Sequence, residues 1–157
     1  MKKRTTVIAA LVSLLPMGQP LVMATGAALT SAAVMLSVPT EAYAENSQFY
    51  FNRAYNKGES GDYYGAISDY NKTLEIDPRD ASAYFGRAWS KKKLKNYYGA
   101  IADYTKAIKI KPNYKSAYKN RGITKEDIGD LNGACADWRE ASYLGDQDSV
   151  QWVRNQC

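Results

Sequence analysis

Apolar residues in the second half of the chain recur three or four positions apart. One such stretch consists of Tyr97, Ala100, Ile101, Tyr104, Ala107 and Ile108. This spacing places the apolar side chains on one face of an amphipathic helix. Pro112 ends that helix, and Lys95-Asn96 separates it from an earlier helical pattern that contains Ala88. The pattern therefore predicts two helices joined by a short turn.

The helix pair is repeated with a period of 34 residues. The matching sets are Tyr50, Tyr84 and Tyr118; Arg53, Arg87 and Arg121; Ala66, Ala100 and Ala134; and Asp69, Asp103 and Asp137. Turn residues recur with the same period, at Gly61-Asp62, Lys95-Asn96 and Gly129-Asp130. A fixed period of this length is typical of solenoids, in which stacked helix pairs share one core. The sequence predicts an all-α solenoid of three such pairs.

The first 44 residues differ in character from the rest. A basic start at residues 2–4 is followed by apolar stretches with no charge before Glu41, and Ala42-Tyr43-Ala44 has the small residues that signal peptidase recognises. We therefore expect residues 1–44 to be a signal peptide cleaved after Ala44. The alternative is an uncleaved anchor, because residues 21–38 are uncharged and nearly long enough to span a bilayer. In either case we expect an extracytoplasmic location, such as the periplasm.

Composition narrows the possible functions. The 157-residue chain has no histidine, which removes the commonest general base and the commonest zinc ligand. The acids Glu59, Asp62 and Glu126 form no recognisable catalytic pair, so we expect neither enzymatic activity nor a metal or other cofactor. Residues 45–157 carry 18 basic and 15 acidic side chains. This small excess gives little reason to expect nucleic acid as a partner.

The 34-residue unit resembles the tetratricopeptide repeat (TPR) family, with an early aromatic residue, small residues at its eighth and twentieth positions, and a late proline. The resemblance covers repeats 47–80, 81–114 and 115–148, followed by a capping helix over residues 147–157 within a TPR domain of residues 45–157. Leu144-Gly145-Asp146 replaces the proline-containing turn in the third repeat. This end, with its final Cys157, resembles the ends of exported bacterial TPR proteins.

The resemblance implies a right-handed superhelix whose concave face binds a protein or peptide segment. In this chain the family's concave positions include Phe51, Asn52, Tyr55, Glu59, Phe85, Trp89, Lys92, Lys93, Lys119, Asn120, Ile123 and Asp127. The candidate partner site is centred on the aromatic and basic members of this set and suits an extended segment with apolar and acidic side chains. Phe51, Tyr55 and Gly86 stand where chaperone adaptors of this family have lysine or asparagine. Capture of a chaperone tail is therefore not expected.

The candidate site residues also have structural interpretations. Aromatic residues at helical spacing commonly pack against adjoining helices, and Lys91, Lys92, Lys93 and Lys95 are placed where cations complement the negative end of a helix dipole. Three functional hypotheses follow: an interaction module outside the cytoplasm that assists assembly of an envelope or membrane complex, a fixed subunit of a larger complex, or an enzyme. A membrane contact is expected only if the N-terminal segment is not cleaved.

Two kinds of internal link are predicted. Arg53, Arg87 and Arg121 each precede Asp69, Asp103 and Asp137 by 16 residues, with the turn at the midpoint, which indicates ion pairs between the antiparallel helices. Cys135 and Cys157 lie at equal distances from residue 146 in the last turn. We expect a disulfide between them in an oxidising compartment, the alternative being two free thiols.

Overall fold

The computed structural model describes residues 40–157, which form seven α-helices and, within that range, no strand. The helices are α1 Thr40–Glu59, α2 Tyr63–Ile76, α3 Ala81–Lys93, α4 Tyr97–Ile110, α5 Lys115–Glu126, α6 Leu131–Tyr143 and α7 Gln147–Gln156. Helix α1 begins ahead of Glu45, the expected mature N-terminus. Most of the predicted signal peptide, and all of the alternative anchor at residues 21–38, lie outside the described residues.

The turn within each helix pair is built in the same way three times. A residue with positive φ lies just before the N-cap of the second helix. The side chain of that N-cap residue accepts a hydrogen bond from the backbone N–H of the glycine three residues later. The positive-φ residues are Gly61 (88°), Lys95 (61°) and Gly129 (81°). The caps are Asp62 on Gly65, Asn96 on Gly99 and Asp130 on Gly133. Glycine suits positive φ at two of the three turns, whereas Lys95 adopts it without that steric freedom.

Small residues allow the helices of each pair to approach closely. Ala54, Ala66, Ala88, Ala100 and Ala134 are fully buried. Larger side chains fill the spaces beside them, and Tyr104 and Trp138 are fully buried in the second and third pairs. Successive helices pack against one another from α1 to α7, and the buried residues form three clusters along the solenoid.

Helix α7 closes the C-terminal end. Trp152 packs on Trp138, with 5.3 Å between ring centroids. Asp146 caps α7 by accepting hydrogen bonds from the Ser149 N–H and Oγ. An end helix of this kind covers an apolar face that another repeat would otherwise cover. The predicted all-α solenoid of three helix pairs with a C-terminal capping helix is confirmed.

Candidate functional site

The first helix of each pair contributes to a cavity of about 500 Å³, which we call the aromatic cavity. Its lining residues are Phe51, Tyr55, Gly58, Glu59, Tyr70, Ser82, Phe85, Gly86, Trp89, Tyr114 and Asn120. Helix α1 contributes Phe51, Tyr55 and Glu59 from one face, since these residues are four positions apart. The lining is largely aromatic, and of its residues within 40–157 only Glu59 has a full charge at neutral pH.

A second cavity, of about 310 Å³, adjoins the first, and we call it the lysine cavity. Its lining residues are Trp89, Lys92, Lys93, Lys95, Tyr97, Asn120 and Asp127. Trp89 and Asn120 line both cavities, so the two form one continuous surface, which we call the groove. Lys92 is 3.1 Å from Asp127, and the Lys93 ammonium lies 5.1 Å from the centroid of the Trp89 ring system.

Three residues predicted for the concave site do not line either cavity. Asn52 is exposed on α1 and accepts a 2.7 Å hydrogen bond from Gln48. Ile123 packs into the core of the third helix pair. Lys119 points to the start of α7, where its Nζ is 3.1 Å from Asp146 and 3.1 Å from Asp148. Lys119 therefore anchors the capping helix in this structure.

The groove aromatics serve packing and lining at the same time. Phe51 meets Tyr70 edge-on at 5.7 Å, and Phe85 stacks on Tyr114 at 5.1 Å. Trp89 meets the Tyr63 ring edge-on at 5.6 Å. Tyr55 is 55% exposed, which leaves its ring available to a partner. The packing interpretation and the groove interpretation of these residues are thus compatible, because rigidly packed rings form a preorganised surface.

Two residues that line the aromatic cavity, Tyr70 and Tyr114, were not predicted from the sequence, and neither was the structural reason for Gly86. Tyr70 reaches it from α2, and Tyr114 reaches it from the residue before α5. An added Cβ at Gly86 would overlap the Tyr70 phenol ring, so only glycine lets that ring lie against α3. Burial raises the pKa of Tyr70 from its ordinary value of 10.0 to about 12. Position 70 shares the helix face of core residue Ala66, and nothing in the sequence marks it as a lining residue.

The predicted arginine and aspartate partners lie side by side in all three helix pairs. Each arginine donates from Nε and Nη2 to both oxygens of its aspartate, and all six distances lie between 2.6 and 2.9 Å. The pairs are Arg53 with Asp69, Arg87 with Asp103, and Arg121 with Asp137. All three aspartates are nearly inaccessible to solvent. The two parallel hydrogen bonds from each guanidinium offset the hydration that a carboxylate loses on burial.

A lysine completes each of these ion pairs. Lys57, Lys91 and Lys125 lie 2.9, 2.7 and 2.9 Å from the second carboxylate oxygen of Asp69, Asp103 and Asp137. These lysines also recur with the 34-residue period, so the sequence contains a signal for them. Arg87 and Arg121 additionally donate to Asn71 and Thr105 of the preceding pair. The polar contacts therefore link successive repeats.

Charge and redox chemistry also fix the end of the solenoid. The sulfur atoms of Cys135 and Cys157 are bonded, with Cα atoms 5.7 Å apart, and tie α6 to the last residue of the chain. Burial opposes ionisation of Asp146, but hydrogen bonds from Ser149 and Lys119 outweigh it and lower the pKa of Asp146.

Among residues 40–157, no cluster of His, Cys, Asp or Glu could hold a metal ion. Within the same range, no helix is both long and apolar enough to cross a bilayer.

The chain is similar to known repeat proteins. Residues 47–80 and 81–114 each match a family model described as tetratricopeptide repeat. The first TPR domain of Spaghetti (RPAP3), bound to the HSP90 peptide SRMEEVD, superposes with a TM-score of 0.67 at 22% identity, over 70% of this chain and 89% of that one. The second TPR domain of Spaghetti, bound to the same peptide, superposes with a TM-score of 0.63 at 27% identity, over 66% of this chain and 98% of that one. The Arabidopsis OM64 TPR domain superposes with a TM-score of 0.68 at 22% identity, over 73% of this chain and 99% of that one.

These likenesses agree with the geometry of the described residues. No curated protein matches the chain in sequence. The two matched repeats, the seven helices packed in order and the superposition on TPR domains together define the class. The chain belongs to the tetratricopeptide repeat family.

Proposed function

We propose that this protein is a non-enzymatic interaction module that binds an extended segment of another protein in its groove. The observation that carries the proposal is the aromatic cavity, about 500 Å³ in volume, which is lined along three successive first helices by aromatic side chains packed on neighbouring rings. Rigid aromatic rings give a partner a large contact area at small cost in side-chain entropy. Two solved TPR domains similar to this chain are bound to a peptide, which supports the same use here.

The function is proposed to operate outside the cytoplasm, in assembly of an envelope or membrane complex. The basic start, the apolar stretches and the Ala42-Tyr43-Ala44 pattern support export. The bond between Cys135 and Cys157 is also typical of an oxidising compartment. N-terminal sequencing of the protein purified from its source cells tests this, with Glu45 as the expected first residue. Finding Met1 on a membrane-integrated chain would replace the soluble form with a tethered one.

Affinity isolation of the full-length chain from its native compartment tests the binding role. We expect partners that exchange with an added excess of untagged protein, as a module requires. Trp89→Ala should lower their recovery, whereas Tyr64→Ala, which removes a 76% exposed ring outside both cavities, should not. One partner set that never exchanges and does not depend on Trp89 would instead indicate a fixed structural subunit.

A further inference from the structure

The two cavities of the groove carry opposite charge, although they share Trp89 and Asn120 as a common wall. Among the described residues that line the aromatic cavity, Glu59 is the only one with a full charge at neutral pH. The lysine cavity has three lysines and one aspartate, so positive charge is in excess there. A segment that spans the groove therefore meets negative charge at one end and positive charge at the other.

Glu59 is available to a partner. It is the last residue of α1, is exposed, and forms no ion pair or side-chain hydrogen bond with another of the residues 40–157. The nearby Lys57 is already bound to Asp69 at 2.9 Å. A carboxylate at the C-terminal end of a helix adds to the negative end of the helix dipole, so it does not stabilise α1. Its position instead suits attraction of a cation.

The rings around Glu59 suit the same kind of ligand. Faces of Trp, Tyr and Phe attract cations, and a guanidinium group stacks on them while its alkyl stem contacts apolar surface. The chain uses this contact elsewhere, since the Arg53 guanidinium lies 5.1 Å from the ring centroids of both Phe49 and Tyr50. In the aromatic cavity, the exposed ring of Tyr55 has no arginine or lysine over it among the described residues, whereas Lys93 already lies over Trp89 from the lysine cavity.

The lysine cavity suits an anion. Asp127 is 3.1 Å from Lys92 and balances one positive charge. Lys95 is exposed in the turn after α3, and Lys93 lines this cavity with its ammonium over the ring of Trp89. Two lysines therefore have no carboxylate partner among the described residues, and a partner's carboxylate can fill that role.

We infer that the groove recognises a dipolar protein segment, in which an arginine enters the aromatic cavity beside Glu59 and an acidic residue contacts the lysine cavity. This inference rests on the proposed function and adds the chemistry of the partner. It changes the expectation from the sequence, in which apolar and acidic side chains were the favoured partners. The alkyl stem of arginine provides the apolar contact, and its guanidinium provides the charge that Glu59 requires.

Synthetic peptides test the inference on the full-length chain. Fluorescence polarisation would compare nine-residue Gly/Ser peptides that carry one arginine and one aspartate, separated by one, two or three residues and placed in both orders. We expect one spacing and order to bind best. Replacing its arginine by the neutral isostere citrulline should weaken binding about tenfold, and replacing its aspartate by asparagine should weaken it similarly. Absence of binding by every peptide in the panel would overturn the inference.

Variants separate this inference from the proposed function. Glu59→Gln should weaken the arginine peptide about tenfold and leave the citrulline peptide unchanged, while Glu75→Gln, an exposed glutamate on α2, should have no effect. Glu59→Lys should reverse the preference, so that a glutamate in place of the arginine binds better. If Trp89→Ala abolishes binding but neither Glu59 variant changes the preference, the charge recognition is wrong and the groove is still the binding site. If Trp89→Ala has no effect on any peptide, the groove itself is wrong.

Discussion

Arg87 and Asp103 face each other across the second helix pair, with two parallel hydrogen bonds of 2.8 and 2.7 Å between them. The Asp103 side chain is only 4% exposed, and Lys91 binds its second oxygen at 2.7 Å. The same arrangement occurs in the pairs before and after it. A buried carboxylate with two cationic partners holds the antiparallel helices in one register.

Removing Arg87 should therefore lower the free energy of unfolding by more than the loss of a surface ion pair would. Arg87→Ala leaves Asp103 buried with Lys91 alone, and we expect the free energy of unfolding to fall by about 2–3 kcal/mol. In the double variant, which combines Arg87→Ala with Asp103→Ala, the loss of unfolding free energy should be smaller than the sum of the two single-variant losses, by at least about 0.5 kcal/mol. Urea unfolding of the three variants measures this coupling. The exposed Arg139→Ala is the control, and strict additivity would contradict the pairing.

The first ion pair should make stability depend on pH in the acid range. The hydrogen bond from Arg53, assisted by that from Lys57, lowers the pKa of Asp69 from 3.8 to about 2. A lowered pKa means that the stabilisation is complete above the ordinary pKa and disappears as pH falls towards 2. We expect a loss of about 2 kcal/mol between pH 5 and 2, which Asp69→Asn should abolish. Unfolding curves at intervals of pH measure it, and an unchanged slope in Asp69→Asn would contradict the assignment.

Gly86 should be required for the shape of the aromatic cavity. Gly86→Ala places a Cβ on the ring of Tyr70, and displacing that ring should cost about 1–3 kcal/mol of unfolding free energy. Gly86→Ala combined with Tyr70→Leu should recover part of that loss because the clashing atoms are removed. Thermal unfolding measures both changes. A Gly86→Ala variant as stable as the parent would show that Tyr70 has another position available.

The disulfide should hold α7 against the third helix pair. Closing a loop with a separation of 22 residues stabilises the fold by about 3 kcal/mol in the chain-entropy model. Reduction should therefore increase hydrogen exchange of α7 and expose the Trp138–Trp152 contact, with little change in α1 to α4. Intact mass with alkylation, before and after reduction, checks the bond itself. Alkylation of two thiols without reductant would contradict it.

The parts of this structure that repeat were predictable, and the parts that depend on one position were not. Period and turn chemistry gave the helix pairs, because Gly61, Lys95 and Gly129 fall at the same place in each unit. The groove was harder to predict. Tyr114 enters it from a turn, and Lys119 turns away because Asp146, the N-cap of α7, and Asp148 in α7 bind it. Such contacts depend on residues distant in sequence, which a local pattern does not contain.

The opposite charges of the two cavities were also beyond the sequence pattern. Glu59 and Lys92 both stood at concave positions, but only the structure assigns them to different cavities with Trp89 between them. The sequence alone therefore indicated an aromatic and basic site without showing how charge is distributed along it.

Site-specific photo-crosslinking tests most directly whether the groove is the partner site. A photoreactive phenylalanine analogue would replace Tyr55 in the groove or Tyr64 on α2, in the full-length chain within its source cells. Both side chains are exposed, at 55% and 76%, so accessibility does not favour the groove position. We predict a crosslinked partner from position 55 and none from position 64. Crosslinks from position 64 with none from position 55 would contradict binding in the groove.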